Sequence, residues 1–147
     1  MYLIAGLGNP GKEYENTRHN MGFKAIDALA SEHGIEIKRS KFRGLYGQGF
    51  IGGEKVILLK PQTYMNLSGG SVREAAMYFD IPRENLIVIY DDIDIPIRSI
   101  RIRKAGGPGT HNGMKSVVKE LGIKYFPRIR IGVGSDEGGD IVKHVIG

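Results

Sequence analysis

The chain has 147 residues, enough for one ordinary domain that buries roughly two thirds of its unfolded surface. Its 41% apolar and 25% charged residues exclude a disordered composition, and the absence of cysteine excludes disulfides, thiol nucleophiles and Cys-ligated zinc. A net charge of +5 favours polyanionic partners such as nucleic acid, although a solvated basic surface would give the same balance.

In chain order, residues 2–7 read as a buried strand. They follow no basic n-region and belong to no long apolar run, so they are not read as a signal peptide. No stretch approaches the roughly 18 apolar residues of a membrane span, and a soluble cytoplasmic protein is expected. Phe23, Ile26, Leu29 and Ala30 share a helical face that Gly34 ends. Residues 45–50 and 55–59 read as strands joined at Gly52-Gly53 in a hairpin. Ser68 is expected to cap a helix whose Val72, Ala75, Ala76 and Phe79 keep helical spacing. Residues 86–90 form another apolar run. Arg101 and Arg103 alternate with Ile100 and Ile102, as Arg128 and Arg130 do with Ile129 and Ile131. Each pattern has period two, with one apolar and one cationic face. Met114, Val117, Val118 and Leu121 form a last helical stripe before Gly122, and residues 127–133 a final strand. Strands alternating with helices, several apolar along their length, predict a single-domain α/β sandwich of three layers. A twisted mixed sheet would lie between helices on both faces.

In such sheets ligands sit beyond the carboxyl ends of the strands. Three such ends carry Asn9-Pro10-Gly11, Thr63-Tyr64-Met65-Asn66 and Asp91-Asp92, although these residue types are common in loops anyway. Gly6-Leu7-Gly8-Asn9-Pro10-Gly11 matches a dinucleotide fingerprint in letters. The stretch that follows has no apolar helical period, and Asp27 falls inside a helix pattern, so nucleotide binding is not expected. Gly113-Met114-Lys115-Ser116 lacks the Gly-Lys-Ser/Thr of a P-loop.

Of the four histidines, His33 and His144 read as surface residues, and none forms a His-Glu-x-x-His zinc pair. His19 lies just before a helix that Asn20 is placed to cap. The positive end of that helix favours a neutral base. Asp91 is the best-placed strand-end carboxylate to fix its tautomer, and with no cysteine and no nucleophile elbow the nucleophile would be water. The segment 106–113, rich in glycine before a helix, suits either an anion site made of backbone amides or a flexible turn with a cap. If the two arginine-bearing strands are neighbours, they offer a basic surface beside it, with an ordinary solvated edge as the rival reading.

Tyr14-x-x-Thr17-Arg18-His19-Asn20-x-Gly22, followed by Ala25-Ile26-Asp27, resembles the first signature of bacterial peptidyl-tRNA hydrolases. Gly107-Pro108-Gly109-Thr110-His111-Asn112-Gly113-Met114-Lys115-Ser116 resembles the second. Gly8-Asn9-Pro10-Gly11, Tyr64-Met65-Asn66-Leu67-Ser68-Gly69 and Tyr90-Asp91-Asp92-Ile93-Asp94-Ile95-Pro96 match in type and order, so the resemblance spans the chain. It implies hydrolysis of the ester between a peptide and the tRNA 3′ ribose, by a monomer needing no metal or other cofactor. It makes His19 the general base and Asp91 its stabiliser, and has Asn9 tell blocked from free aminoacyl ends. Tyr14, Tyr64, Asn66 and Asn112 would contact the tRNA 3′ end and peptide, with Asn66 or Asn112 also positioning water or the oxyanion. Arg103 and Arg128 are candidate contacts to the tRNA backbone. Two departures stand out. Thr110 occupies a position where glycine is usual, and relatives usually continue, with a further C-terminal helix, past the position matching Gly147. Two rival readings are a non-catalytic RNA-binding relative and a Mg²⁺-dependent nuclease using Asp91, Asp92 and Asp94.

Overall fold

The computed structural model describes residues 1–14, 17, 20–97, 99–109 and 111–133. Strands β1 (Tyr2–Gly6), β2 (Arg39–Lys41), β3 (Gly44–Ile51), β4 (Glu54–Pro61), β5 (Leu86–Asp92), β6 (Ile100–Arg103) and β7 (Arg128–Gly132) form one sheet. Helices α1 (Met21–His33), α2 (Ser68–Tyr78) and α3 (Asn112–Leu121) cover it. The strand order is β2-β3-β4-β1-β5-β7-β6. β1 pairs in parallel with β4 and β5, and β5 with β7. The outer pairs, β2–β3, β3–β4 and β6–β7, are antiparallel. The sheet is therefore mixed, as expected from its continuous apolar runs in the centre and alternating ones outside.

The pleat divides the core into two. Leu3, Leu59 and Val88 point to the α2/α3 side and pack with Val72, Met114 and Val117. Leu58 and Ile89 point to the other side and pack with Ile26 and Ala30 of α1. Full burial of Ile26, Met114 or Val117 is worth about 1.5–3 kcal/mol each, which explains why the helical stripes forecast the helices. Gly34 and Gly122 end α1 and α3 in the left-handed conformation.

The dinucleotide-like glycines have a packing role. A Cβ on Gly6 would lie 2.2 Å from the Gly22 carbonyl oxygen, so glycine at that point lets α1 lie directly on β1. Two local expectations fail. Ser68 is the first residue of α2 rather than its cap, and its hydroxyl donates instead to the Met65 carbonyl at 2.8 Å. β2 was not anticipated, because its three exposed residues carry no apolar alternation.

Candidate active site

The parallel strands β1, β4, β5 and β7 all end at one rim of the sheet, and the polar residues gather there. Just after β1, Asn20 clamps the Asn9 backbone. Asn9 N–H donates to Asn20 Oδ1 at 2.7 Å, and Asn20 Nδ2 donates to the Asn9 carbonyl at 2.9 Å. Asn20 stands at the N-cap position of α1, but its buried side chain is used for this clamp and makes no cap bond. Asn9 Oδ1 in turn accepts the Met65 N–H at 2.7 Å, which ties the loop after β1 to the loop after β4. A backbone N–H can only donate, so this contact fixes which end of the Asn9 amide faces Met65 and turns its NH₂ the other way. The group Asn9 offers to a ligand is its NH₂.

At the end of β5, Asp91 is only 2% exposed. His111 Nε2 lies 3.1 Å from Asp91 Oδ1, while His111 Nδ1 accepts the Met114 N–H at 3.2 Å. These two contacts fix the ring's tautomer: Nδ1 holds the lone pair, and Nε2 carries the proton it donates to Asp91. The ring of Tyr90 meets His111 edge-on at 4.8 Å and holds its plane. Burial raises the Tyr90 phenol above its ordinary pKa, against the partial opposition of Arg130 and Arg128. His111 is thus the N-cap of α3, and the capping reading of the glycine-rich segment holds. Sequence reasoning gave His111 no role because histidine is not among the usual N-caps. Its spacing of three from Met114, the start of the last apolar stripe, was the available signal.

Asp91, Asp92, His111, Asn112 and Met65 border a cleft of about 270 Å³. Asp92 turns away from Asp91, pairing with Arg130 at 3.1 Å and accepting the Asp94 N–H at 2.8 Å. The carboxylates required on one ion by the nuclease reading therefore face different partners. Among the described residues no three His, Cys, Asp or Glu side chains converge to hold a metal.

His19 lies outside the described residues, as does Thr110. Tyr14 is half-buried next to the Asn9 loop, and Tyr64, Asn66 and Asn112 are exposed around the rim. Asn66 and Asn112 together line a second groove between the starts of α2 and α3. The two arginine strands are neighbours, with Arg103 opposite Arg128 and Arg101 opposite Arg130. Arg103 is exposed, but Arg128 is not on a cationic surface. It is 2% exposed and donates to the Gly107, Lys124 and Phe126 carbonyls at 3.2, 2.7 and 3.4 Å. Its guanidinium also stacks over the Phe126 ring at 4.4 Å. The desolvation that accompanies this burial lowers its pKa from the ordinary arginine value. Period two correctly gave the face of the sheet, but that face is covered here by the glycine-rich segment.

The peptidyl-tRNA hydrolase family model matches residues 3–147. The chain belongs to the peptidyl-tRNA hydrolase family. It is 58% identical to the peptidyl-tRNA hydrolase of Caldanaerobacter subterraneus subsp. tengcongensis over 147 residues, covering all of this chain and 80% of that protein. Identity to the Clostridium beijerinckii peptidyl-tRNA hydrolase is 57%, over all of this chain and 76% of that one. Among solved structures, that of the Acinetobacter baumannii peptidyl-tRNA hydrolase superposes with a TM-score of 0.89 at 42% identity. The match covers this whole chain and 76% of that one. The Asn9 clamp and the Asp91–His111 pair are thus features of a peptidyl-tRNA hydrolase fold. No helix among its described residues is long and apolar enough to cross a membrane.

Proposed function

We propose that this chain hydrolyses the ester joining a peptide, or another N-blocked aminoacyl group, to the 3′ ribose of tRNA, with water as nucleophile and His19 as general base. Membership of the peptidyl-tRNA hydrolase family supports the reaction. The observation that carries the choice of base is the commitment of both His111 nitrogens, one to Met114 and one to Asp91. His111 has no lone pair left with which to take a proton from water. His33 is exposed in the last turn of α1, remote in the fold from the strand-end rim. His19 follows the Asn9 loop in sequence and directly precedes the clamping Asn20.

In this mechanism His19 removes a proton from water as the oxygen attacks the ester carbonyl. The buried Asp91 carboxylate, steadied by the His111 N–H, stabilises the imidazolium that forms. The NH₂ groups of Asn66 and Asn112 supply donors for the tetrahedral oxyanion. The intermediate collapses with loss of the ribose oxygen, which takes the proton back from His19. The products are deacylated tRNA and a peptide with a free carboxylate. The Asn9 NH₂ donates to the acyl carbonyl of a blocked substrate. A free aminoacyl end would present an ammonium to that donor, which gives the site a physical basis for discrimination. The same reading has the enzyme act as a cytoplasmic monomer without a bound metal.

The test is turnover of N-acetyl-aminoacyl-tRNA with and without EDTA. Release of intact tRNA and N-acetyl amino acid, equal in both conditions, is expected. EDTA-sensitive shortening of the RNA would identify a nuclease, and binding without turnover a non-catalytic relative.

A further inference from the structure

A third groove, of about 390 Å³, lies across Asn9 from the cleft at Asp91. Asn9 lines it, while Met65, bonded to Asn9, lines the cleft, so the two hollows meet at that hydrogen bond. Its other walls include Lys12, Lys24, Asp27, Lys60 and Gln62, with Phe23 beneath. Among the described lining residues the charged ones are thus Lys12, Lys24, Lys60 and Asp27. Lys60 pairs with Asp27 at 2.8 Å with its own side chain only 18% exposed, and its ammonium lies 5.7 Å from the centre of the Phe23 ring. Lys12, also in the lining, is exposed. The floor is rigid because Asn20 holds both backbone groups of Asn9.

We infer that this groove receives the peptide beyond its first residue, and that Lys12 and Lys60 give it a preference for acidic residues there. The inference rests on the proposed hydrolase activity, and the direction of the substrate follows from sheet order. The groove opens over β3 and β4, through Leu45 and Lys60. The cleft opens over β5 and β7, through Asp91 and Arg130, and the exposed Arg101 and Arg103 lie farther out on β6. The tRNA body, a polyanion, belongs on the β6 side. An acyl chain whose ester lies at the cleft and whose carbonyl is read by Asn9 then leaves towards β4. A groove rich in ammonium and amide donors suits an extended peptide, whose backbone carbonyls and acidic side chains all accept.

The experiment compares kcat/KM for three N-acetylated substrates on one tRNA. One carries a single alanine, one Glu-Glu-Ala and one Lys-Lys-Ala, each joined through the alanine. The Glu-Glu-Ala substrate should exceed the Lys-Lys-Ala substrate about three- to tenfold at low salt, as one or two exposed ion pairs allow, and the gap should close as salt rises. Lys12→Glu should abolish or reverse the ratio, and Lys60→Met, which keeps the aliphatic stem over Phe23, should reduce it. Equal rates for the two tripeptides in the wild type would overturn the inference. A Lys12→Glu loss of equal size on all three substrates would also overturn it and give the groove to RNA. Cleavage of the alanyl substrate reports the hydrolase activity separately, so its absence would strike that reading rather than the groove.

Discussion

The rim around Asp91 and the outer edge formed by β6 and β7 are both rich in polar side chains, but those side chains are held in different ways. At the rim, Asn9, Asn20, Asp91 and His111 direct their polar atoms at backbone groups or at one another. On β6 every residue is exposed, and among the described residues Arg103 donates to the neighbouring Ile102 carbonyl, at 3.0 Å. Arg128 stands directly opposite Arg103, yet it behaves like a rim residue because three backbone carbonyls take its donors. What a polar residue contributes follows from who fills its hydrogen-bonding capacity, and residue type or register alone does not determine it. Substitutions that break a filled network should cost chemistry or stability, and those on the edge should cost only affinity.

The largest effects are expected at the proposed proton-transfer pair. His19→Ala should leave the fold intact and lower kcat on N-acetyl-aminoacyl-tRNA by about 10² to 10⁴-fold, the usual cost of a lost general base. Asp91→Asn should lower kcat comparably while binding of uncleaved substrate persists, since an amide fills the site but stabilises an imidazolium less. Normal turnover of bound substrate by the Asp91 variant would reduce Asp91 to a binding residue.

His111→Ala comes next. It removes a donor from a buried carboxylate and the cap of α3. A hydrogen bond to a charged group is worth about 1.5–3 kcal/mol, so kcat should fall by roughly ten- to a hundredfold. Loss of the cap should add about 1 kcal/mol of destabilisation. Steady-state kinetics beside a melting curve separate the two effects. If the melting point drops while kcat does not, His111 only caps the helix.

The fold was legible where one physical force decides it. Continuous apolar runs marked β1, β4 and β5, helical stripes ending in glycine marked α1 and α3, and Gly52-Gly53 marked the turn between β3 and β4. β2 was illegible because its pairing with β3 is made by backbone and leaves no pattern in its side chains. Asn9, Asn66 and Asp91 were legible as strand-end polar residues, and Asn112 only through the family signature that contains it. The Asn20 clamp was not. Asparagine before a helix reads as a cap, and nothing local shows that a backbone eleven residues earlier competes for the same amide. Arg128 was misread for a related reason: alternation tells which face a side chain takes but not whether a later segment covers that face.

Arg128→Met tests whether coverage makes the difference. Removing the guanidinium leaves buried carbonyls at Phe126 and its neighbours short of donors, at about 1–3 kcal/mol for the site. For a domain of this size that lowers the melting point by roughly 2–10 °C. The salt dependence of KM for tRNA should keep its wild-type slope, because the residue does not reach the solvent. A flattened slope with an unchanged melting point would restore Arg128 as a phosphate contact.

The smallest effect is expected at Arg103. It lies opposite the first residue of β7, while Asp92 lies opposite the last, so about 13 Å of strand separates Arg103 from the level of the rim. A side chain at that distance has no part in proton transfer, but as an exposed cation on the β6 edge it is placed to meet the phosphate backbone of a tRNA whose 3′ end enters the cleft. Arg103→Gln should leave the melting point and kcat unchanged and raise KM for full-length tRNA modestly. The slope of log KM against log salt should decrease by about one, since one fewer counterion is released on binding. A minimal substrate, an N-blocked aminoacyl ester of adenosine, should be cleaved as by the wild type. Equal loss on both substrates would draw Arg103 into the site, contradicting the register. No loss on either would make the β6 edge a solvated surface, and the tRNA body would then have to rest elsewhere.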